Sequence, residues 1–416
     1  MSRKFRGAAG VAVAALALST TACASSAPTT ATSATASAPA AAGGNAPVTN
    51  GVAQVKVTLT NDGGDKCAAD YTTAAAGPIT FTVENISASA ITEVELQSEL
   101  KILGEKENLA PGLPASSFTV TLDGGRYTLY CLGATPETQA FTVTGQAAAA
   151  PSGSTATLLN SGVKEYATWV VGQAEEMQTA VTNLRTAIDS GDLAKSKTAY
   201  VNARTFYEKI ESDVEGFVMP GFKVDDNKGN LDYLIDMRAS NLDEKVGWSG
   251  FHAVERDLWK SGRINDATKK YAADLDANVA KLVVVVRTLT YKPEDLANGA
   301  AALLEEVQSN KITGEEEEFS HIDLSDFAAN VEGSRQAFAY LQPGLEKIDA
   351  ALVKNIVAQF ANVDAAVSKL RDSASPGGYI PWTEQNRAKH RKALSQAVLG
   401  LQEPMQKIAE KVATAQ

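Results

Sequence analysis

The apolar residues of this chain alternate with period two up to about residue 146 and then, from residue 158, recur with a helical period. A strand pattern forced into a helix turns part of its apolar face to water, so the two stretches predict two different architectures. In "VAQVKVTLT", Val55, Val57 and Leu59 share one side, and in "PITFTVEN" Ile79, Phe81 and Val83 do the same. "SFTVTLDGGRYTLYC" reads as two strands, Phe118-Val120-Leu122 and Tyr127-Leu129-Cys131, joined by a Gly-Gly turn, and "QAFTVTG" closes the set. About seven short strands in about 95 residues, punctuated by Gly and Pro, predict an antiparallel β-sandwich over 52–146. An uncharged linker, 147–157, follows, and long amphipathic segments broken by Gly or Pro then predict an antiparallel helical bundle over 158–416. The fold class expected is therefore multidomain, all-β followed by all-α.

Ahead of the sandwich, Arg3, Lys4 and Arg6 precede an uncharged apolar run, 7–18, and small residues before Cys23. This is the pattern of an export signal over 1–23. Thr21-Ala22-Cys23 resembles the lipobox of bacterial lipoproteins, with Thr20 in place of the usual Leu, and predicts lipidation at Cys23. Residues 24–51 carry no charge and cannot bury enough apolar surface to order themselves, so they read as a tether from a membrane anchor. The longest later apolar run, "LVVVV" at 282–286, is too short to span a bilayer. A net charge of −11, from 49 acidic and 38 basic residues, argues against nucleic acid as a partner and is compatible with cations.

Cys67 and Cys131 remain as an even pair in the sandwich of an exported protein. They read as a disulfide or as soft metal ligands, with carboxylates such as Glu95 completing the set. A blue-copper centre is excluded, because it needs two His and a Cys, usually with a weak axial Met. The first histidine is His252, and no methionine lies between Met1 and Met177.

The helical part carries "GWSGFHAVERDLW" at 247–259. Wound as a helix, it puts Trp248, Phe251, Val254, Leu258 and Trp259 on one arc, with Glu255 in its middle and His252 at its margin. Residues i and i+3 share a face, so an imidazole and a carboxylate can reach one cation from the same turn. The simpler alternative is a histidine hydrogen-bonded to Glu255. An unpaired carboxylate among those rings is costly, and facing helices of a bundle can supply further ligands. Candidates are Glu332, on a helix through 326–341 beside Phe327, Val331 and Phe338, and Glu316 in the acidic run 315–318. His321 reads as a local hydrogen-bonding residue and His390 as part of a basic solvated face.

These stretches, together with "KITGEEEEFSHIDLSDFAANVEGS", "GEKENLAPG" and "GGRYTLYC", resemble the EfeO family over nearly everything after the tether. The resemblance implies a cupredoxin-like sandwich fused to an imelysin-type helical domain. It implies an extracytoplasmic iron-capturing component whose partners are a membrane iron permease and a haem-containing peroxidase. His252 and Glu255 match the family's metal-binding motif. Cys67, Glu95 and Cys131 match positions proposed as ligands for iron, copper or zinc in the sandwich, although Thr128 stands where an acidic residue is expected. Two other functions compete. A peptidase of the imelysin type lacks the second helical His of His-Glu-x-x-His and has no Gly-x-Ser-x-Gly elbow. A redox-active sandwich would bind copper or iron through its cysteines.

Overall fold

Burial follows the two periods. The computed structural model describes residues 44–98, 102–147, 152–214, 217–223 and 226–415. The predicted signal, Cys23 and most of the tether lie outside them. Strands β1 (Val48–Thr49), β2 (Val52–Asn61), β3 (Asp65–Ala69), β4 (Thr73–Ala75) and β5 (Gly77–Asn85) are followed by β6 (Val94–Gln97), β7 (Ile102–Lys106), β8 (Ser116–Leu122), β9 (Gly125–Tyr130) and β10 (Thr138–Thr144). One sheet runs β1-β2-β5-β8 with β3 also on β2, and the other runs β4-β10-β9-β6-β7. The inward alternation of Val55, Val57, Phe81, Phe118, Leu129 and Phe141 fills the space between them.

Two details differ from the sequence expectation. The β2–β5 and β10–β4 pairings are parallel, within an otherwise antiparallel set. The Gly-Gly turn closes no hairpin: β8 pairs with β5 and β9 with β6 and β10, so Gly124 carries the chain from one sheet to the other. A side chain there would meet the Gly145 carbonyl at 2.2 Å. The Cys67–Cys131 disulfide links β3 to the residue just after β9 and so ties the two sheets together.

The helical part contains α1 (Ser154–Asp189), α2 (Leu193–Glu208), α3 (Glu211–Val214), α4 (Leu231–Asp236), α5 (Gly250–Glu255), α6 (Asp266–Val286), α7 (Pro293–Glu306), α8 (Asp323–Val367), α9 (Glu384–Met405) and α10 (Ile408–Ala413). The first helix begins inside the expected linker, and α1 then packs on α2, α6 and α8 around one continuous core. Single π-helical turns follow α5 at Arg256–Lys260 and α7 at Val307–Lys311. Among the described residues no helix is long and apolar enough to cross a membrane. Sandwich and bundle are joined through Lys106, Thr119 and Thr121, which meet Glu305, Asn298 and Lys292.

Candidate metal site

Gly250 opens α5 with a φ of +70°, a conformation favoured by glycine, and a Cβ on it would lie 2.0 Å from the Ile235 carbonyl. Only a residue without a side chain lets α5 start against the end of α4. That contact brings His252 to Asp236. The π-turn directly after Glu255 widens the helix at its far end, a feature frequent at functional sites. It also breaks the single arc expected over 247–259. Trp248 precedes the helix and is half-buried, with the Arg256 guanidinium 4.4 Å above its ring.

His252 is 1% exposed and its two nitrogens face different carboxylates. Nδ1 lies 3.0 Å from Glu255 Oε2. Nε2 has no hydrogen-bond partner among the described residues and stands 3.5 Å from both Asp236 Oδ1 and Glu316 Oε1. Glu255 is fully engaged, because its other oxygen accepts the backbone N–H groups of Phe319 and Ser320 at 2.8 and 2.7 Å. Once an ion has displaced the proton on Nε2, an imidazole that donates Nδ1–H to Glu255 points its Nε2 lone pair between Asp236 and Glu316. Donor atoms of the three residues lie within 4.8 Å of one another, close to the spacing of ligands around a single ion. Glu317 completes a second grouping with His252 and Glu255. Its oxygens are taken by Tyr200 Oη–H and Ser320 Oγ–H.

Around this core the charges are buried and dense. Arg204 touches Asp236, Glu208 and Glu316, and Lys311 Nζ lies 3.2–3.3 Å from Glu208, Glu211, Glu306 and Glu316. Burial raises the pKa of a carboxyl, and it dominates at Asp326, Glu211 and Glu317, which hold their protons well above the ordinary range. At Glu316 burial is outweighed by Lys311, Arg238, His252 and Arg204, which keep it well below that range. Burial likewise opposes a charge on His252, but its contacts with Asp236, Glu255 and Glu316 hold its pKa well above the usual value.

This chain is 32% identical over 340 residues, 81% of its length and 86% of the relative's, to the iron uptake system component EfeO of Escherichia coli O6:H1 (strain CFT073). The chain belongs to the EfeO family. Residues 162–408 also match the imelysin family. Solved structures similar to this EfeO-family chain include an iron-regulated protein A precursor from Parabacteroides distasonis, with 16% identity, a TM-score of 0.47, and coverage of 64% of this chain and 96% of that one. Reduced rusticyanin matches with 12% identity, a TM-score of 0.19, and coverage of 23% of this chain and 82% of that one.

The structure brings Glu316 to His252 but leaves Glu332 out of the cluster. On α8 the buried polar face is Asp323, Asp326, Asn330 and Ser334, at spacings of three and four. Glu332 falls off that stripe. Its side chain is 43% exposed, 3.9 Å from Arg335, and accepts a hydrogen bond from Gln336. The expected pair of His252 and Glu255 stays together in one buried turn, within a grouping with Glu317 that could hold an ion, while the other nitrogen of His252 faces Asp236 and Glu316. Sequence reasoning missed Arg204, Glu208, Asp236, Lys311, Glu317 and Asp326. Arg204 and Glu208 carried a usable sign, an i,i+4 ion pair on the buried face of α2.

In the sandwich, the disulfide reading of Cys67 and Cys131 holds in the structure, and a disulfide sulfur is not the thiolate a soft metal takes. Glu95 instead gathers with Glu93 and Glu105, a set of hard oxygen donors unlike the cysteine-based copper or zinc site expected. Burial raises the pKa of both Glu95 and Glu93. His321 and His390 are half-buried and lie outside these groupings.

Proposed function

We propose that this chain is an extracytoplasmic component of an Efe-type iron-uptake system that captures Fe²⁺ or Fe³⁺ at His252 and passes it to a membrane iron permease. The observation that carries the reading is His252 Nε2, closed off from water, without a hydrogen-bond partner among the described residues, and facing Asp236 and Glu316. Carboxylate oxygens with one imidazole suit iron better than thiolates would. The naming of the relatives as iron uptake components supports the same cargo. In this reading His252, Asp236 and Glu316 hold the ion, and Glu255 fixes the ring's tautomer and direction. The haem-containing peroxidase is the second partner, and a lipid on Cys23 keeps the protein at the membrane. A peptidase reading has less support, because the site offers one histidine and its carboxylates are tied to Arg204 and Lys311. Anaerobic calorimetry of Fe²⁺ binding tests the proposal. Wild type should bind one ion per chain at this site and His252→Ala should not, whereas equal affinity would remove the site from consideration. Incorporation of labelled palmitate that survives Cys23→Ser would count against the anchor.

A further inference from the structure

The oxygens that flank His252 Nε2 already hold a cation. Arg204 is completely buried, and its Nη1 and Nη2 hydrogens go to Asp236 Oδ1 and Glu316 Oε1. Those same two atoms stand 3.5 Å from His252 Nε2. Resting on the assignment of the ion to His252, we propose that Arg204 is a resident counter-cation whose guanidinium must leave Asp236 and Glu316 when a metal ion binds at His252 Nε2, so that it sets how tightly the site holds its cargo.

Two points of geometry favour exchange over a permanently fixed brace. A guanidinium cannot lose its charge, so an incoming divalent ion next to it meets repulsion in a medium that screens poorly. The surroundings also supply somewhere else for the guanidinium to go. Among the described residues Arg204 Nε has no hydrogen-bond partner, and it lies 3.4 Å from Glu317 Oε1 and 3.7 Å from Asp326 Oδ2. Among the described residues both oxygens of Asp326 lack a hydrogen-bond partner, although Asp326 is wholly buried. The rings of Phe251 and Tyr207, 5.5 and 5.6 Å from the guanidinium carbon, accept a flat cation without fixing its rotation. A small turn of the side chain therefore trades Asp236 and Glu316 for Asp326 and Glu317, whose carboxyl oxygens accept an N–H even while the groups are protonated, and frees the oxygens that face His252. A carrier has to release what it captures, and a built-in competing charge weakens binding without loosening the fold.

The test is Mn²⁺ binding, followed by calorimetry and electron paramagnetic resonance, on the full chain as wild type, Arg204→Gln and His252→Ala, with circular dichroism to confirm folding. Arg204→Gln is expected to bind at least tenfold more tightly than wild type, and His252→Ala not to bind. Affinity in Arg204→Gln equal to or below wild type, with His252→Ala inactive, overturns the counter-cation and leaves the site standing. Unchanged binding in His252→Ala overturns the site itself. Should Arg204→Gln not fold, crystals of the wild-type protein soaked in Mn²⁺ decide the matter. The expected result is a guanidinium moved off Asp236 Oδ1 and Glu316 Oε1, and an ion bound with both contacts intact overturns the proposal.

Discussion

Lys106 in the sandwich and Glu305 in the helical bundle form an ion pair at 2.7 Å with each side chain 2% exposed. Glu305 also accepts hydrogen bonds from Gln402, Gln406 and the Glu107 backbone, so donors from both domains converge on the carboxylate at their joint. Removing one member of such a pair leaves an uncompensated buried charge, at a cost of roughly 3–5 kcal/mol. Lys106→Ala is therefore expected to lower unfolding stability by about that amount, read from urea titration. Lys106→Met combined with Glu305→Met should recover most of the loss. A single-mutant loss below about 1 kcal/mol, the range of exposed pairs, would show that water reaches the joint.

Glu255 orients His252 and Glu332 lies elsewhere, so the two carboxylates should behave differently. Glu255→Gln should weaken Fe²⁺ binding by about 10–100-fold, the usual range for a group that positions a metal ligand. Glu332→Ala should leave binding unchanged. Equilibrium binding under anaerobic conditions checks both, and a loss of affinity in Glu332→Ala would contradict its placement on the outer side of α8.

Lys311 is wholly enclosed by carboxylates of α2, α3, α7 and the acidic loop. Lys311→Met takes away the one ammonium shared among Glu208, Glu211, Glu306 and Glu316. Its expected cost is again about 3–5 kcal/mol, measurable as a fall in the urea midpoint without a change in slope.

Asp213, which accepts the Tyr166 hydroxyl at 2.6 Å, gives a pH dependence away from the proposed iron site. Burial pushes its pKa up to about 7, outweighing the hydrogen bond from Tyr166. Between the ordinary aspartate value and about 7, the native state keeps a proton that the unfolded chain has lost. Stability from this group is thus full below about pH 4, declines as pH rises, and levels off above about 7. Asp213→Asn should flatten that part of the profile. Unfolding free energies at several pH values in wild type and variant measure it, and identical slopes would show that the carboxyl titrates normally.

The Cys67–Cys131 disulfide closes a sequence separation of 64 residues. In the chain-entropy description, its removal in the double Cys→Ser variant should cost about 4 kcal/mol. Iron binding at His252 should be untouched. A fall in iron affinity to match would place the cysteines in the iron path after all.

The period-two and helical patterns determined that Val55, Phe81 and Phe118 would face a sandwich core, and that His252 and Glu255 would share one buried helical turn, because burial of apolar side chains imposes those repeats locally. The Glu-rich run likewise announced a carboxylate near the histidine, and Glu316 is there. Only the tertiary structure decided which oxygens His252 Nε2 would meet, since Asp236 and Glu316 lie 16 and 64 positions away along the chain. No local periodicity records a meeting of a Gly250 helix start, a π-turn and a loop that returns to cap Glu255. The same holds for Arg204 and Lys311, ordinary surface residues by composition, which are buried because carboxylates from separate helices converge on them. Charges in a core are stabilised by partners distant in sequence, and that information exists only once the chain has folded.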